Sequence, residues 1–173
     1  MRPDLELKTP FPPDQGTMRD VFNKGYHRPP EWLDPRVILD LGCNIGLTLV
    51  DLALRFPQAF LVGAELDRSN YEVALENTEN IGNIKVIHCG IATWDGGCCY
   101  EMDSAHSTNS FHIEGEGELP CLTLDTFLER YLSGQKVEYM KVDIEGMERD
   151  LFKLSSSAAW PQIVQFVSVE THY

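Results

Sequence analysis

The chain has 173 residues, 43% of them hydrophobic and 24% charged, enough for one domain with its own core and no need of disulfide or metal staples. Acidic residues outnumber basic ones 27 to 14, and the net charge of -13 disfavours a nucleic-acid partner. No apolar run approaches the roughly 20 residues that cross a bilayer, and residues 1–14 lack the apolar stretch of a signal peptide, so the expectation is a cytoplasmic protein with no membrane partner.

Residues 1–35, rich in Pro and aromatics, predict an irregular or partly helical lead-in; the domain proper is expected over 36–173. The run 37–41 predicts a buried parallel strand ending at a glycine turn. Residues 45–56 carry Leu49, Leu52, Ala53 and Phe56 at helical spacing before Pro57. A second strand follows at 60–64, and Ser69 to Glu72 forms a capping box that opens a helix through about Asn80. A third strand is predicted at 84–88. Residues 94–120 break the rhythm: Asp95-Gly96-Gly97 and the alternation after it predict an inserted β-hairpin, with the acidic run near 114–118 as a solvated loop. Then come a helix over 124–132 closed by Ser133-Gly134, a strand at 137–142, a helix marked by Met147, Leu151 and Leu154, and a fifth strand at 163–169. Strands alternating with helices mean βαβ units and an α/β sandwich of three layers around a mostly parallel sheet.

The five cysteines are odd in number and irregular in spacing, so reduced thiols are expected, with Cys98 and Cys99 too close in sequence to bridge easily. A zinc site from His88, Cys89 and that pair is disfavoured.

Asp40-Leu-Gly42-Cys43-Asn44-Ile-Gly46 lies between the first strand and its helix. Glycines there allow a sharp turn and close ligand approach, and the helix N-terminus offers free N–H groups to an anion. Glu65 ends the second strand, where a carboxylate can accept both hydroxyls of a ribose. A dinucleotide normally asks for G-x-G-x-x-G. Here the spacing is G-x-x-x-G, and Asp40 would repel a pyrophosphate but suit an ammonium group. S-adenosylmethionine is therefore favoured over NAD; a glycine turn with no ligand is the bland alternative.

Several separate segments resemble the FkbM methyltransferase family. Val37 to Gly46 is similar to its D-x-G-x-N-x-G motif, and Glu65-Leu66-Asp67, with Asn77 beyond, to its E-P-D segment, with Leu66 in place of proline. Residues 119–125 resemble its V-x-x-x-T-L-D stretch. Residues 139–146 with Glu148 resemble L-K-I-D-V-E-G-x-E, and Glu170 to His172 resembles E-x-H. The resemblance covers 36–173 and implies a Rossmann-like class I methyltransferase fold, apparently truncated after the fifth core strand because two further strands would complete such a sheet. It implies S-adenosylmethionine as cofactor, held by Asp40, Gly42, Cys43, Asn44, Gly46, Glu65, Leu66, Gly90, Ile91 and Asp143. His172, Asp143 and Glu145 are the candidate catalytic residues, His172 first as the base. No residue set requires a metal. The implied acceptor is a hydroxyl on a sugar or small metabolite. A non-catalytic protein that keeps only the cofactor-binding half is the rival expectation, and oligomeric state has no signature.

Overall fold

The computed structural model describes residues 6–10, 14–102, 111–115, 117–144, 147–153 and 158–170. Five strands form the main sheet: β1 (Val37–Leu41), β2 (Phe60–Glu65), β3 (Ile84–His88), β8 (Tyr139–Val142) and β9 (Val167–Val169). All pair in parallel, in the order β3-β2-β1-β8-β9. Helices α2 (Leu47–Arg55) and α3 (Arg68–Thr78) connect the first three strands. Helix α4 (Leu124–Leu132) precedes β8, and α5 (Glu148–Lys153) with the short α6 (Trp160–Ile163) leads to β9.

Alternation along the strands splits the core in two. Leu39, Leu41, Val62, Met140 and Val142 share one cluster with Leu124, Phe127 and Leu128 of α4. Ile38, Leu61 and Tyr139 share the other with Leu49, Leu52 and Ala74 of α2 and α3. This is a mostly parallel α/β sheet covered on both faces. Among the described residues no helix is long and apolar enough to cross a membrane.

A second, four-stranded sheet leaves the end of β3: β4 (Gly90–Ile91), β5 (Gly96–Met102), β6 (Phe111–Gly115) and β7 (Leu119–Leu122), in the order β4-β7-β5-β6. Strands β5 and β6 pair antiparallel, whereas β4 and β7 pair in parallel.

The lead-in forms α1 (Asp14–Arg19) and a π-helical turn (Asp20–Lys24) that closes at Gly25, whose φ is 63°. It is anchored on Asp51 of α2. Arg28 grips both Asp51 oxygens, Nε to Oδ2 at 2.8 Å and Nη2 to Oδ1 at 3.1 Å. His27 (3.1 Å) and Arg55 (2.9 Å) also reach Oδ2. Burial opposes ionisation of Asp51, but the hydrogen bonds from His27, Arg28 and Arg55 outweigh it and hold the carboxyl below its ordinary range.

The structure corrects three local expectations. The cap of α3 is Asp67, not the Ser69 of the expected capping box: Asp67 accepts the Asn70 N–H at 2.8 Å, and the helix starts at Arg68. Ile163 ends α6, and β9 begins only at Val167; Pro161 favours a first helical turn there. Cys98 and Cys121 are joined in a disulfide between β5 and β7, against the expectation of five reduced thiols. The partner lies 23 residues away and is brought close by the β5–β7 pairing. Under non-reducing conditions, peptide mapping should recover Cys98 and Cys121 in one linked peptide. Closing a loop of 23 residues constrains the unfolded chain, so reduction should cost about 3 kcal/mol of stability. Two separate free thiols would contradict this pairing.

Candidate functional site

Strands β1, β2 and β8 deliver their carboxyl ends to one edge of the sheet. Loop 42–46 folds over β2: the N–H groups of Gly42 and Cys43 both donate to the Ala64 carbonyl, at 2.9 and 3.0 Å. Gly42 adopts a φ of 78°, and a Cβ there would lie 1.7 Å from the Asp143 carbonyl oxygen, so only glycine lets the two strand ends meet. Asn44 is also left-handed, with φ at 50°, and its Oδ1 accepts the Ile45 N–H at 2.6 Å. Gly46 (φ 82°) caps α2 without a side chain and sits over Ala74, and no acidic residue occupies the first turn. The first-turn amides therefore carry their positive dipole end towards the loop.

The register of β1 against β8 sets Asp40 opposite Lys141. Both point to the α2 face, as Ile38 and Tyr139 do. Asp40 is wholly buried; one oxygen accepts the Thr48 hydroxyl, and Oδ1 has no hydrogen bond but lies 3.8 Å from Lys141 Nζ. Lys141 Nζ donates to Asp143 Oδ2 at 2.8 Å. Burial would lower the Lys141 pKa, but the Asp40 and Asp143 carboxylates prevail and keep it above the usual lysine range.

Glu65 is buried at the end of β2. Its Oε2 accepts the Asn44 N–H and its Oε1 the Asp67 N–H, both at 2.8 Å. It thus locks the glycine loop to the cap of α3, while each oxygen keeps a second lone pair. Burial pushes its pKa up to about 7, against these two backbone bonds. Burial also raises the Cys43 thiol well above its ordinary value, which leaves it neutral. Leu66 is half-buried among Ala92, Trp94 and Cys121. Gly90 and Ile91 are buried and paired with Cys121 and Leu122, Ile91 within the main core. His88 Nε2 donates to the Leu66 carbonyl at 3.1 Å, and the ring stacks on Tyr71.

A cleft of about 50 Å³ opens between the loop and β8, lined by Gly42, Cys43, Asn44, Ile45, Leu47, Thr48, Lys141 and Asp143 and, from the lead-in, Thr17, Val21 and Tyr26. Of the sequence-predicted residues, four (Gly42, Cys43, Asn44 and Asp143) therefore share one cleft with Lys141, and Glu65 braces it from β2. Asp40 lies beneath, reaching the cleft through Lys141. Glu145 and His172 fall outside the described residues. Lys141 and Tyr26 were not singled out from the sequence, although Lys141 belongs to the motif beside Asp143. Among the described residues no three His, Cys, Asp or Glu side chains gather as metal ligands.

A family model, the Methyltransferase FkbM domain, matches residues 46–173, so β1 and most of the glycine loop precede the match. Among solved structures, the plantazolicin methyltransferase BpumL in complex with SAH is 15% identical with a TM-score of 0.47, covering 90% of this chain and 46% of that one. With a monoazolic desmethylPZN analog and SAH, BpumL gives 15% identity, a TM-score of 0.49 and coverage of 91% and 49%. Coclaurine N-methyltransferase bound to N-methylheliamine and SAH is 16% identical with a TM-score of 0.39, covering 79% and 29%. The chain spans less than half the length of these structures, and likeness at this level assigns no substrate. No curated protein matches the chain.

The raised Glu65 pKa has a measurable consequence. The folded chain holds this proton up to about pH 7, whereas an unfolded glutamate loses it near 4.5. The stabilisation linked to this group is therefore full below about pH 4.5 and is lost as pH rises through 7, on the order of 3 kcal/mol. Urea melts of wild type and Glu65→Gln between pH 4.5 and 8 should show their stability difference moving in favour of the variant by that amount. A difference independent of pH would show that Glu65 titrates normally.

Proposed function

The chain belongs to the FkbM methyltransferase domain family, and we propose that it is an S-adenosylmethionine-dependent methyltransferase with its cofactor lying across the ends of β1, β2 and β8. The observation that carries this reading is the pairing of one cation and one carboxylate, Lys141 and Asp143, in the cleft beside the glycine loop. The amino-acid end of the cofactor is a zwitterion, so its two charges find opposite partners there. The first-turn amides of α2 add a third attraction for the carboxylate. The cleft has room for that end of the molecule rather than for the whole of it.

In this reading Gly42, Cys43, Asn44 and Gly46 give the backbone its close approach, while Asp40 acts from beneath by keeping Lys141 charged and in place. Glu65 uses its spare lone pairs on the ribose hydroxyls, and Leu66, Gly90 and Ile91 border the adenine. Bound there, the cofactor supplies an electrophilic methyl group on a sulfonium. The chain's own contribution is to fix an acceptor hydroxyl in line with that methyl, which accounts for much of the rate. It also takes the hydroxyl proton as the C–O bond forms. His172 is the first candidate for this base, with Asp143 second, in place of its contact with the cofactor's ammonium group, and Glu145 third. The acceptor class favoured is a hydroxyl on a sugar or small metabolite, giving a methyl ether.

Calorimetric titration with S-adenosylhomocysteine at pH 8 tests the cofactor site. Wild type should bind with a micromolar Kd, and Glu65→Gln should weaken it by roughly tenfold, the loss of about 1.4 kcal/mol of hydrogen bonding. A folded wild-type chain that binds no S-adenosylhomocysteine would overturn the proposal. Where binding holds, the bond formed to the transferred methyl, ether or amine, distinguishes O- from N-methylation.

A further inference from the structure

We infer that Tyr26 is a cofactor-contact residue, and that the lead-in segment 17–28 forms a built wall over the aminocarboxylate end of the cleft. The inference rests on the cofactor reading above and goes beyond it, because these residues lie well before the family match begins at residue 46. Three of them, Thr17, Val21 and Tyr26, line the cleft together with Lys141 and Asp143.

The wall is held in place on both sides of Tyr26. Before it, Val21 is wholly buried in a cluster with Ile45 and Leu47, the residues flanking Gly46. After it, Arg28 spans the gap: its Nη2 donates to the Val21 and Phe22 carbonyls, at 3.3 and 3.0 Å, while its fork holds Asp51. The His27 carbonyl accepts the Tyr139 hydroxyl at 2.6 Å, which ties the segment to β8 as well. Between these anchors Tyr26 is 49% exposed. A half-exposed ring fixed by buried neighbours and set beside a Lys–Asp pair is poor core filler but a good ligand contact.

The charges acting on the phenol come from β1, from β8 and its end, and from the residue after β9. Burial raises its pKa, Lys141 opposes, and Glu170, Asp143 and Asp40 reinforce the rise. Tyr26 therefore keeps its proton and presents an O–H that can donate to a carboxylate or accept from an ammonium.

S-adenosylhomocysteine and 5′-methylthioadenosine share the nucleoside but only the first carries the aminocarboxylate. Calorimetry with both, on wild type, Tyr26→Phe and Tyr26→Ala, isolates the contact. Tyr26→Phe should weaken S-adenosylhomocysteine by about tenfold, the worth of one hydrogen bond to a charged group. Tyr26→Ala should weaken it further. Both variants should leave methylthioadenosine affinity within about twofold, since additive effects are confined to the contact removed. Equal losses for the two ligands, or no loss for either, would overturn the wall and leave the cofactor site standing. Wild type that binds neither ligand would overturn both.

Discussion

Asp40 and Lys141 stand opposite each other in adjacent parallel strands, buried on a face where the neighbouring positions hold Ile38 and Tyr139. Taking two charges out of water is expensive, and a pair in that position needs further polar or charged partners to offset the cost. Here they are used asymmetrically. Asp40 is committed downwards, to Thr48 and to the lysine, while Lys141 reaches on to Asp143 at the strand end. The result is a cation buried in the sheet whose charge is expressed at the mouth of the cleft. An apolar pair would pack at least as well, but would leave the cleft with a lone carboxylate.

The loop above this pair depends on the same strand contact. Gly42 can meet the Asp143 carbonyl only because it lacks a Cβ, and that meeting closes β1 onto β8 where Lys141 and Asp143 emerge. Glu65 does the corresponding work towards β2, binding one backbone N–H from the loop and one from the cap of α3. Three strand ends are thus tied by one glycine and one carboxylate. Asp51 then fastens the lead-in to α2, which is why a segment without a recognisable motif becomes part of the site.

The order of strands and helices in the main sheet could be read from periodicity, since buried parallel strands are short apolar runs and α2 and α4 carry clear apolar stripes. The glycine loop, Glu65 and the Lys141–Glu148 stretch were legible as motifs. What escaped, apart from one local cap, depended on pairings distant in sequence. The cap of α3 moved to Asp67 because Glu65 captures that residue's N–H, a bond invisible to a local capping rule. Cys121 meets Cys98 only after β5 folds onto β7. Lys141 read as an ordinary strand residue until register placed it against Asp40, and Tyr26 acquired a role only through the anchoring of its neighbours.

Topology explains why all of this gathers at one edge. From β1 the sheet grows outwards in both directions, to β2 and β3 on one side and to β8 and β9 on the other. The connections on the first side, α2 and α3, pack on one face; α4, which leads into β8, packs on the opposite face. Because the helices beside β1 and β8 pack on opposite faces, a crevice opens between the carboxyl ends of these two strands, as open α/β sheets produce wherever strand order reverses. A ligand entering that crevice meets the ends of the two strands that carry Asp40 and Lys141. The buried pair and the crevice are consequences of one reversal: the strand order creates the opening, and the register of the same two strands decides which charges face it.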